Sequence, residues 1–388
     1  MYGYVSFRIS VPAAFPYPWN WVFWGVTIFL WLALTLRFLF WFYKLDSRVL
    51  DVIVWVGSLG LGLFTSLFFL LFARDLLYLV VLMAEKIMAF VRDVPYGNET
   101  ALIPFDPERR RHLFNMINAG IVGMGGLYSL WGFINAYSSI NVRNVEIKAQ
   151  NLPDAFDGFE ILQITDIHSG TTIKRKYVSR LVEKAKTLTP DLIALTGDLV
   201  DGTVSNLLDY IDPLSDLDAP YGKYFVTGNH EYYSGVHQWV EQIKKMGYKV
   251  LNNEHTLIEK DGEKILLAGV TDFESIALDP LNASDPLKAK EGAPETSYKI
   301  LLAHQPRSIF NASEAGFDLQ LSGHTHGGQF FPWNFVIRLQ QPFLKGTHRY
   351  KETDLYICTG AGYWGPPLRV GSSPQISLIR LLKENKAV

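Results

Sequence analysis

Cysteine is almost missing from this chain of 388 residues; Cys358 stands alone. One thiol excludes an intrachain disulfide and any cysteine-built zinc cluster, and it says little about compartment. A surplus of charge is lacking too. Lys and Arg number 36 against 38 Asp and Glu, a net charge of -2, so there is no basic surface of the kind that holds nucleic acid. Charge of either sign is absent from long stretches before about residue 140, which argues against soluble bundle helices, because those carry a polar stripe.

What fills those stretches is apolar and aromatic: hydrophobic residues make up 48% of the chain and aromatics 14%. Nothing from Ile9 to Leu36 is charged, and Trp19, Trp21, Trp24 and Trp31 gather there. A segment from Trp19 to Phe42 has the roughly 20 apolar residues a bilayer crossing needs, with Arg37 near one end, where a long side chain can snorkel. Val52–Ala73 is a second charge-free run. Leu76–Val91, interrupted by Glu85 and Lys86, reads either as a third span or as the second helix continuing past Arg74 and Asp75. Leu113–Val142 is a further run, whose Gly120, Gly123, Gly125 and Gly126 permit close helix approach. Cleavage of the first segment as a signal peptide would leave the later ones in place. Residues 1–142 are therefore expected to form three or four transmembrane helices. The connectors carry Lys44 and Arg48, then Arg109, Arg110 and Arg111. Four spans with both connectors in the cytoplasm would place the rest of the chain outside it. Arg110-Arg111-His112-Leu113-Phe114 also loosely matches a twin-arginine export signal, which favours the same side.

From residue 143 to 388 the pattern changes to short apolar strands alternating with amphipathic helices. Strands are predicted at Phe159–Thr165, Asp191–Thr196, Lys223–Thr227, Lys264–Val270, Tyr298–Ala303 and Asp318–Leu321, and helices at Lys174–Thr187, Ser205–Leu217 and Gly235–Met246. Such alternation implies an α/β fold with chemistry in the loops beyond the strands' carboxyl ends. Five of the six strands end in polar clusters: Asp166-Ile167-His168, Gly197-Asp198, Gly228-Asn229-His230-Glu231, His304, and Gly323-His324-Thr325-His326. Singly, each is an ordinary turn or a hydrogen-bonded histidine; the ordered set is not an accident. Carboxylate, imidazole and amide oxygen together suit Mn, Fe, Zn or Ni rather than an all-oxygen calcium cage. The donors suffice for two divalent ions, with Asp198 placed to bridge them, an arrangement suited to in-line phosphoryl displacement by a metal-bound hydroxide.

In this order, the motifs resemble the calcineurin-like metallophosphoesterases, from about Phe159 to Leu382. Gly323-His324-Thr325-His326-Gly327-Gly328-Gln329, Gly360-Ala361-Gly362 and Pro374-Gln375-Ile376-Ser377-Leu378 are similar to the bacterial membrane-linked subgroup related to YkuE and YaeI. The resemblance implies two facing mixed β-sheets flanked by helices. It implies Asp166, His168 and His326 on a first divalent metal (Mn, Fe, Zn or Mg) and Asn229, His304 and His324 on a second, with Asp198 shared. It also implies that His230 stabilises the transition state or protonates the leaving oxygen. Arg369 is a candidate phosphate contact. Asp272 reads as a supporting residue or a loop acid, His237 and His255 as structural or solvated, and His348 has no role assigned. Phe273–Ser297 reads as an insertion near the site. Membrane tethering raises effective concentration toward substrates in the bilayer, so a lipid-linked phosphoester or pyrophosphate ranks above soluble nucleotides as substrate. Some YaeI-like members act on a UDP-diacylglucosamine pyrophosphate bond, on the cytoplasmic side. Rival readings are a binding-only receptor or scaffold, which would lack ligands, and a transporter, which would need more intramembrane polar residues.

Overall fold

The computed structural model describes residues 1–43, 48–91 and 106–384; Lys44, with the side chains of Arg37 and Arg48, lies outside them. The chain divides into two compact units, Met1–Trp131 and Gly132–Val388.

The first unit is helical: α1 (Tyr2–Ala13), α2 (Trp19–Tyr43), α3 (Arg48–Val91) and most of α4 (Pro107–Ala136). Among the described residues, three stretches are long and apolar enough to cross a membrane: Trp19–Leu36, Val49–Met88 and Glu108–Ala136. The apolar runs on either side of Arg74-Asp75 are a single helix. No proline or glycine separates them, and Ala, Leu, Met, Glu and Lys favour continuation. At 44 residues, α3 is about 66 Å long, roughly twice a hydrocarbon core. The two basic connectors precede and follow this one helix, and the described residues offer three candidate spans, the lower of the two counts expected.

Of Gly120, Gly123, Gly125 and Gly126 in α4, Gly125 is the one that seats a neighbour, because a Cβ there would run into Leu67; the other three face open space. Gly57 does the same service against the α2 backbone at Ala33 and Leu34. A polar knot ties α1, α3 and α4. Asp75 accepts from Tyr4 Oη at 2.5 Å, Arg8 Nη2 at 2.6 Å and Arg74 Nη2 at 2.6 Å. Arg74 also donates to Asn118, whose amide donates to the Arg8 carbonyl at 2.9 Å.

The second unit runs β1 (Asn141–Ala149), β2 (Glu160–Ile164), α5 (Arg175–Lys186), β3 (Leu192–Leu195), α6 (Val204–Ile211), β4 (Lys223–Phe225), α7 (Asn229–Tyr233), α8 (Val236–Lys245), β5 (Lys249–Val250), β6 (Glu254–Lys260) and β7 (Glu263–Gly269). It continues through α9 (Ser275–Leu278), α10 (Pro286–Ala289), β8 (Lys299–Leu302), α11 (Ile309–Glu314), β9 (Leu319–Ser322), α12 (Trp333–Val336), β10 (Gly346–Tyr350), β11 (Thr353–Ile357) and β12 (Gln375–Lys383). These strands make two six-stranded sheets, ordered β1-β12-β2-β3-β4-β5 and β10-β11-β9-β8-β7-β6. Both are mixed: β2, β3 and β4 are parallel, as are β7, β8 and β9, while β12 runs antiparallel to β2 and β6 to β7.

Alternate residues of each central strand serve two cores, which is why the strands read as continuous apolar runs. Ile161, Leu192, Ala194, Ile265, Leu267, Ile300 and Leu302 fill the space between the sheets. Leu162, Ile164, Ile193 and Leu195 face the other way, onto Val178 and Leu181 of α5, Leu207 of α6 and Trp239 of α8. Leu266, Ala268 and Leu301 pack toward Ala289 of α10 and Ala312 of α11. The result is helices, sheet, sheet, helices. The unit begins inside α4, not at residue 143. The last turn of that helix bonds into it, with Arg369 N donating to the Gly132 carbonyl at 2.9 Å and the Asn135 amide to the carbonyls of Arg369 and Ser372 at 2.8 and 3.2 Å.

Replacing Asp75 by Ala leaves two guanidinium groups with no carboxylate between apolar helices. Thermal unfolding of the full chain in detergent is expected to show a loss of about 1–3 kcal/mol, and Asp75→Glu is expected to restore most of it.

Candidate metal centre

Parallel pairing brings the carboxyl ends of β2, β3 and β4 to one edge, and those of β7, β8 and β9 to the facing edge of the other sheet. The loops leaving these ends carry the donors. Asp166 and His168 follow β2, Asp198 follows β3, and Asn229 and His230 open α7 after β4. His304 follows β8, while His324 and His326 follow β9. Asp166, His168, Asp198, His324 and His326 all adopt positive φ, between 51° and 70°. Non-glycine residues rarely do so, and a cluster of them marks a place where strain is kept for function. Room is made by glycine, since a Cβ at Gly323 would strike the Asp166 carboxylate and one at Gly228 the Asp198 carboxylate.

The donors fall into overlapping groups whose ligand atoms lie within 4.8 Å of one another: Asp166, His168 and His326; Asp198, His304 and His324; and His168, Asp198 and His230. In the first, His168 Nε2 and His326 Nε2 are 3.0 Å apart, and His326 Nε2 is 3.5 Å from Asp166 Oδ1. In the second, His304 Nε2 is 3.0 Å from Asp198 Oδ2 and 3.3 Å from His324 Nδ1. Asp198 Oδ2 also lies 3.8 Å from His168 Nε2, so one carboxylate touches both groups. Asn229 Oδ1 is buried with no hydrogen-bond partner. A buried amide oxygen left bare is costly unless something positive meets it. That orphan, in the residue before His230, fits a divalent cation.

Neighbours fix each ring. His304 donates from Nδ1 to the Thr196 carbonyl at 2.7 Å, which turns Nε2 toward Asp198. His168 and His230 both donate from Nδ1 to Asp201 Oδ1, at 3.1 and 2.6 Å. A carboxylate accepting at Nδ1 dictates the tautomer, the pattern of outer residues that orient metal-bound imidazoles. Glu231 is buried behind Asp198 and accepts from the backbone N–H groups of Asp198, Leu199 and Gly228 at 2.9, 2.7 and 2.7 Å. Asp272 is buried and paired with Gln305 at 3.0 Å, beside His304 in sequence, which supports its reading as a supporting residue.

Electrostatics follow from this crowding. Burial raises the Asp198 carboxyl, but His304, His230 and His168 outweigh it and hold it well below the usual range. Asp166 stays raised, because burial and Asp198 act together against His304 and His168. Burial and Asp198 push Glu231 up to about 7 despite three backbone donors. His230 rises to about 9, since Asp198 and Asp201 overcome its desolvation. His324 falls to about 3, through burial and the charge of His304.

Six of the seven expected ligands, Asp166, His168, Asp198, His304, His324 and His326, are thus brought together with His230; Asn229 is the residue before His230 and offers a buried, unpartnered oxygen. Arg369 is not where a phosphate contact belongs. It is fully buried, and its guanidinium donates to the carbonyls of His326, Thr359, Gly360 and Gly362 and, at 2.9 Å, to His326 Nδ1. It is a strut under the His326 loop. His237 is exposed, 3.8 Å from Asp279; His255 bonds the Ala289 carbonyl at 2.9 Å; His348 stacks on Phe343. The 273–297 insertion is tied down, with Asn253 bonding the Ala283 carbonyl and Thr271 that of Asn282. Asp201 and Glu231 carry no role that the sequence alone assigns. The signal for Asp201 is its place in Gly197-Asp198-Leu199-Val200-Asp201, one turn past the shared carboxylate; Glu231 sits in the Gly228-Asn229-His230-Glu231 string.

Fold and donors together define a two-sheet α/β protein with a histidine–carboxylate metal centre. The profile of the family described as Calcineurin-like phosphoesterase matches residues 159–328. The chain is 37% identical over 261 residues to a transmembrane protein with metallophosphoesterase domain from Danio rerio, covering 65% of this chain and 60% of that protein. It is 33% identical over 288 residues to an uncharacterized metallophosphoesterase of Helicobacter pylori (strain J99), covering 74% and 75%. It is 28% identical over 281 residues to the uncharacterized metallophosphoesterase YkuE of Bacillus subtilis, covering 70% and 96%. The chain therefore spans less than two thirds of the zebrafish relative's length. It belongs to the calcineurin-like metallophosphoesterase family.

Glu231→Gln keeps the shape but turns an N–H₂ toward backbone donors. A loss of about 2–4 kcal/mol in thermal unfolding is expected from hydrogen bonds to a buried charge, together with reduced bound metal by elemental analysis. Unchanged metal content and stability would remove Glu231 from the site's support.

Proposed function

We propose that the second unit is a two-metal phosphoesterase that hydrolyses a phosphoester or pyrophosphate bond on a lipid-linked or membrane-adjacent substrate. The observation that carries this reading is the pair of donor groups sharing Asp198. Asp166, His168 and His326 would hold one divalent ion and Asn229, His304 and His324 the other, with Asp198 between them. Such ions would polarise the phosphoryl oxygens and lower the pKa of a water to near neutrality.

The chain's own groups supply the rest. His230 is pinned through Nδ1 to Asp201 and keeps a partly open face. Its Nε2 is left for a substrate oxygen, either to protonate the leaving group or to stabilise phosphoryl charge. The His230 backbone N–H donates to Asp198 Oδ1 at 2.9 Å, so the shared carboxylate and the catalytic ring move as one. Asp201 orients two rings at once, which makes it a positioning residue. A binding-only receptor has no need of this full set, and none of it is missing.

The lipid-linked substrate class rests on the three candidate membrane helices and on tethering as a source of effective concentration. The catalytic unit is proposed to face away from the cytoplasm. Arg109, Arg110 and Arg111 immediately precede the last apolar stretch. A basic cluster retained in the cytoplasm puts the chain beyond that stretch on the far side, whatever number of spans precedes it.

Purified full chain with Mn²⁺ is expected to hydrolyse bis(p-nitrophenyl) phosphate or p-nitrophenyl phosphate. His230→Ala should lower kcat by about 10²–10³ with metal retained, and Asp201→Asn by about 10–100-fold. Asp198→Ala should lose both metal and turnover. Metal-loaded wild type that turns over neither ester would count against the general phosphoesterase reading. For orientation, alkaline phosphatase fused after Val388 should be active in a bacterial host and a green fluorescent protein fusion dark; the reverse pattern places the unit in the cytoplasm.

A further inference from the structure

Immediately after the Gly323–Gln329 loop the chain turns apolar and stays at the surface. Phe331 is 51% exposed, Phe335 60% and Leu339 85%, with Val336 beside them. Trp364, 47% exposed, comes from a separate loop and meets the Trp333 ring at 6.4 Å, while Phe331 and Phe335 pair at 6.0 Å. A patch of large aromatic and aliphatic groups is not ordinary surface and marks a contact with something apolar. The other exposed large apolar side chains described in this unit are Ile134 at the end of α4, those on the 273–297 insertion, Tyr233 and Phe310.

The patch is built into the metal loop. The Gln329 amide donates to the Trp364 carbonyl at 2.7 Å and its oxygen accepts from Trp364 N at 2.9 Å. The Gln329 carbonyl accepts from Val370 N at 2.8 Å. One residue earlier, Arg369 links His326 to the last turn of α4, through its guanidinium on His326 and its backbone N–H on the Gly132 carbonyl. That turn, Gly132–Ala136, is the end of the Glu108–Ala136 stretch that is long and apolar enough to cross a bilayer. The aromatic loops are thus fastened within this unit to residues at the end of a candidate span.

We propose that Phe331, Phe335, Val336, Leu339 and Trp364 form a lip that dips into the lipid bilayer and holds the metal centre at its surface. The tie to the end of a candidate span favours this occupant over a protein. Trp, Phe and Leu make up the apolar face of segments that lie in the membrane interface. The exposed Arg338 and Lys345 suit the phosphate layer that such an apolar face must pass. The proposal deepens the lipid-linked reading above and rests on its membrane anchoring, but not on turnover.

The test uses full chain reconstituted in vesicles of phosphatidylcholine and phosphatidylglycerol. Cys358 is fully buried, so Leu339→Cys or Phe335→Cys supplies the reactive thiol for a fluorescent probe. Asp261→Cys, in the β6–β7 turn at the end of the sheet away from the metal centre, is the aqueous reference. Several-fold stronger quenching by a nitroxide-bearing lipid at positions 335 and 339 than at 261, with protection from iodide, is expected. Iodide quenching equal to that at 261 overturns the proposal. Shielding from both quenchers that grows with protein-to-lipid ratio also overturns it, in favour of contact with a second copy. Because probe depth needs no catalysis, an inactive protein with a lipid-buried lip would defeat the phosphoesterase reading and leave this one standing.

Discussion

A carboxylate taken out of water costs several kilocalories per mole unless its oxygens are met, and the second unit buries Asp166, Asp198, Glu231 and Asp272 beside His168, His304 and His326. Everything around the centre answers that cost. Glu231 is held by three backbone N–H groups of the loops that present Asp198 and Asn229. Asp201 serves two histidines, and Arg369 spends its whole guanidinium on carbonyls and one ring of the His326 loop. The strained φ values of five ligands persist because these bonds over-determine the loops. What stays unmet, the Asn229 oxygen above all, is the part of the account that a cation closes.

The same logic orders the fold. Two sheets facing each other bring two sets of parallel strand ends to one seam, so donors far apart in sequence arrive together without any long helix or disulfide. The inter-sheet core is largely apolar, with the buried Gln163 bonding across to the Ser322 carbonyl near that seam. It excludes water from behind the ligands and makes each charge–charge contact stronger than it would be at the surface. In the first unit the corresponding device is Asp75, one carboxylate between two arginines on different helices, where apolar packing alone discriminates poorly between arrangements.

Much of this was legible in the residues. The six central strands and the three helices between them were visible because both faces of each strand are buried and the helices alternate with helical period. The candidate ligands were visible because each follows a strand end. The outer strands were not. β5 has two residues, β6 has a single buried residue among exposed and half-buried ones, and β10 alternates exposed polar with half-buried positions. β1 and β12 join as parallel partners only across more than two hundred residues of chain, which no local pattern reports. Asp201 and Glu231 escaped because an acid that bonds histidines or backbone reads like any loop acid. Arg369 misled because an arginine near a phosphate site and one under a metal loop look alike until burial is known.

Local chemistry determined the kinds of residue and their order: apolar runs without charge, strand ends carrying Asp, His and Asn, and glycines where backbones must pass close. Tertiary structure alone decided how they meet. It chose Gly125 rather than its neighbours to seat α3, and gave one carboxylate to both donor groups. It also turned the segment after Gln329 outward. These outcomes depend on which surfaces face each other across long stretches of chain, and a hydrogen bond or a buried charge is defined by both of its partners, only one of which any local stretch of sequence contains.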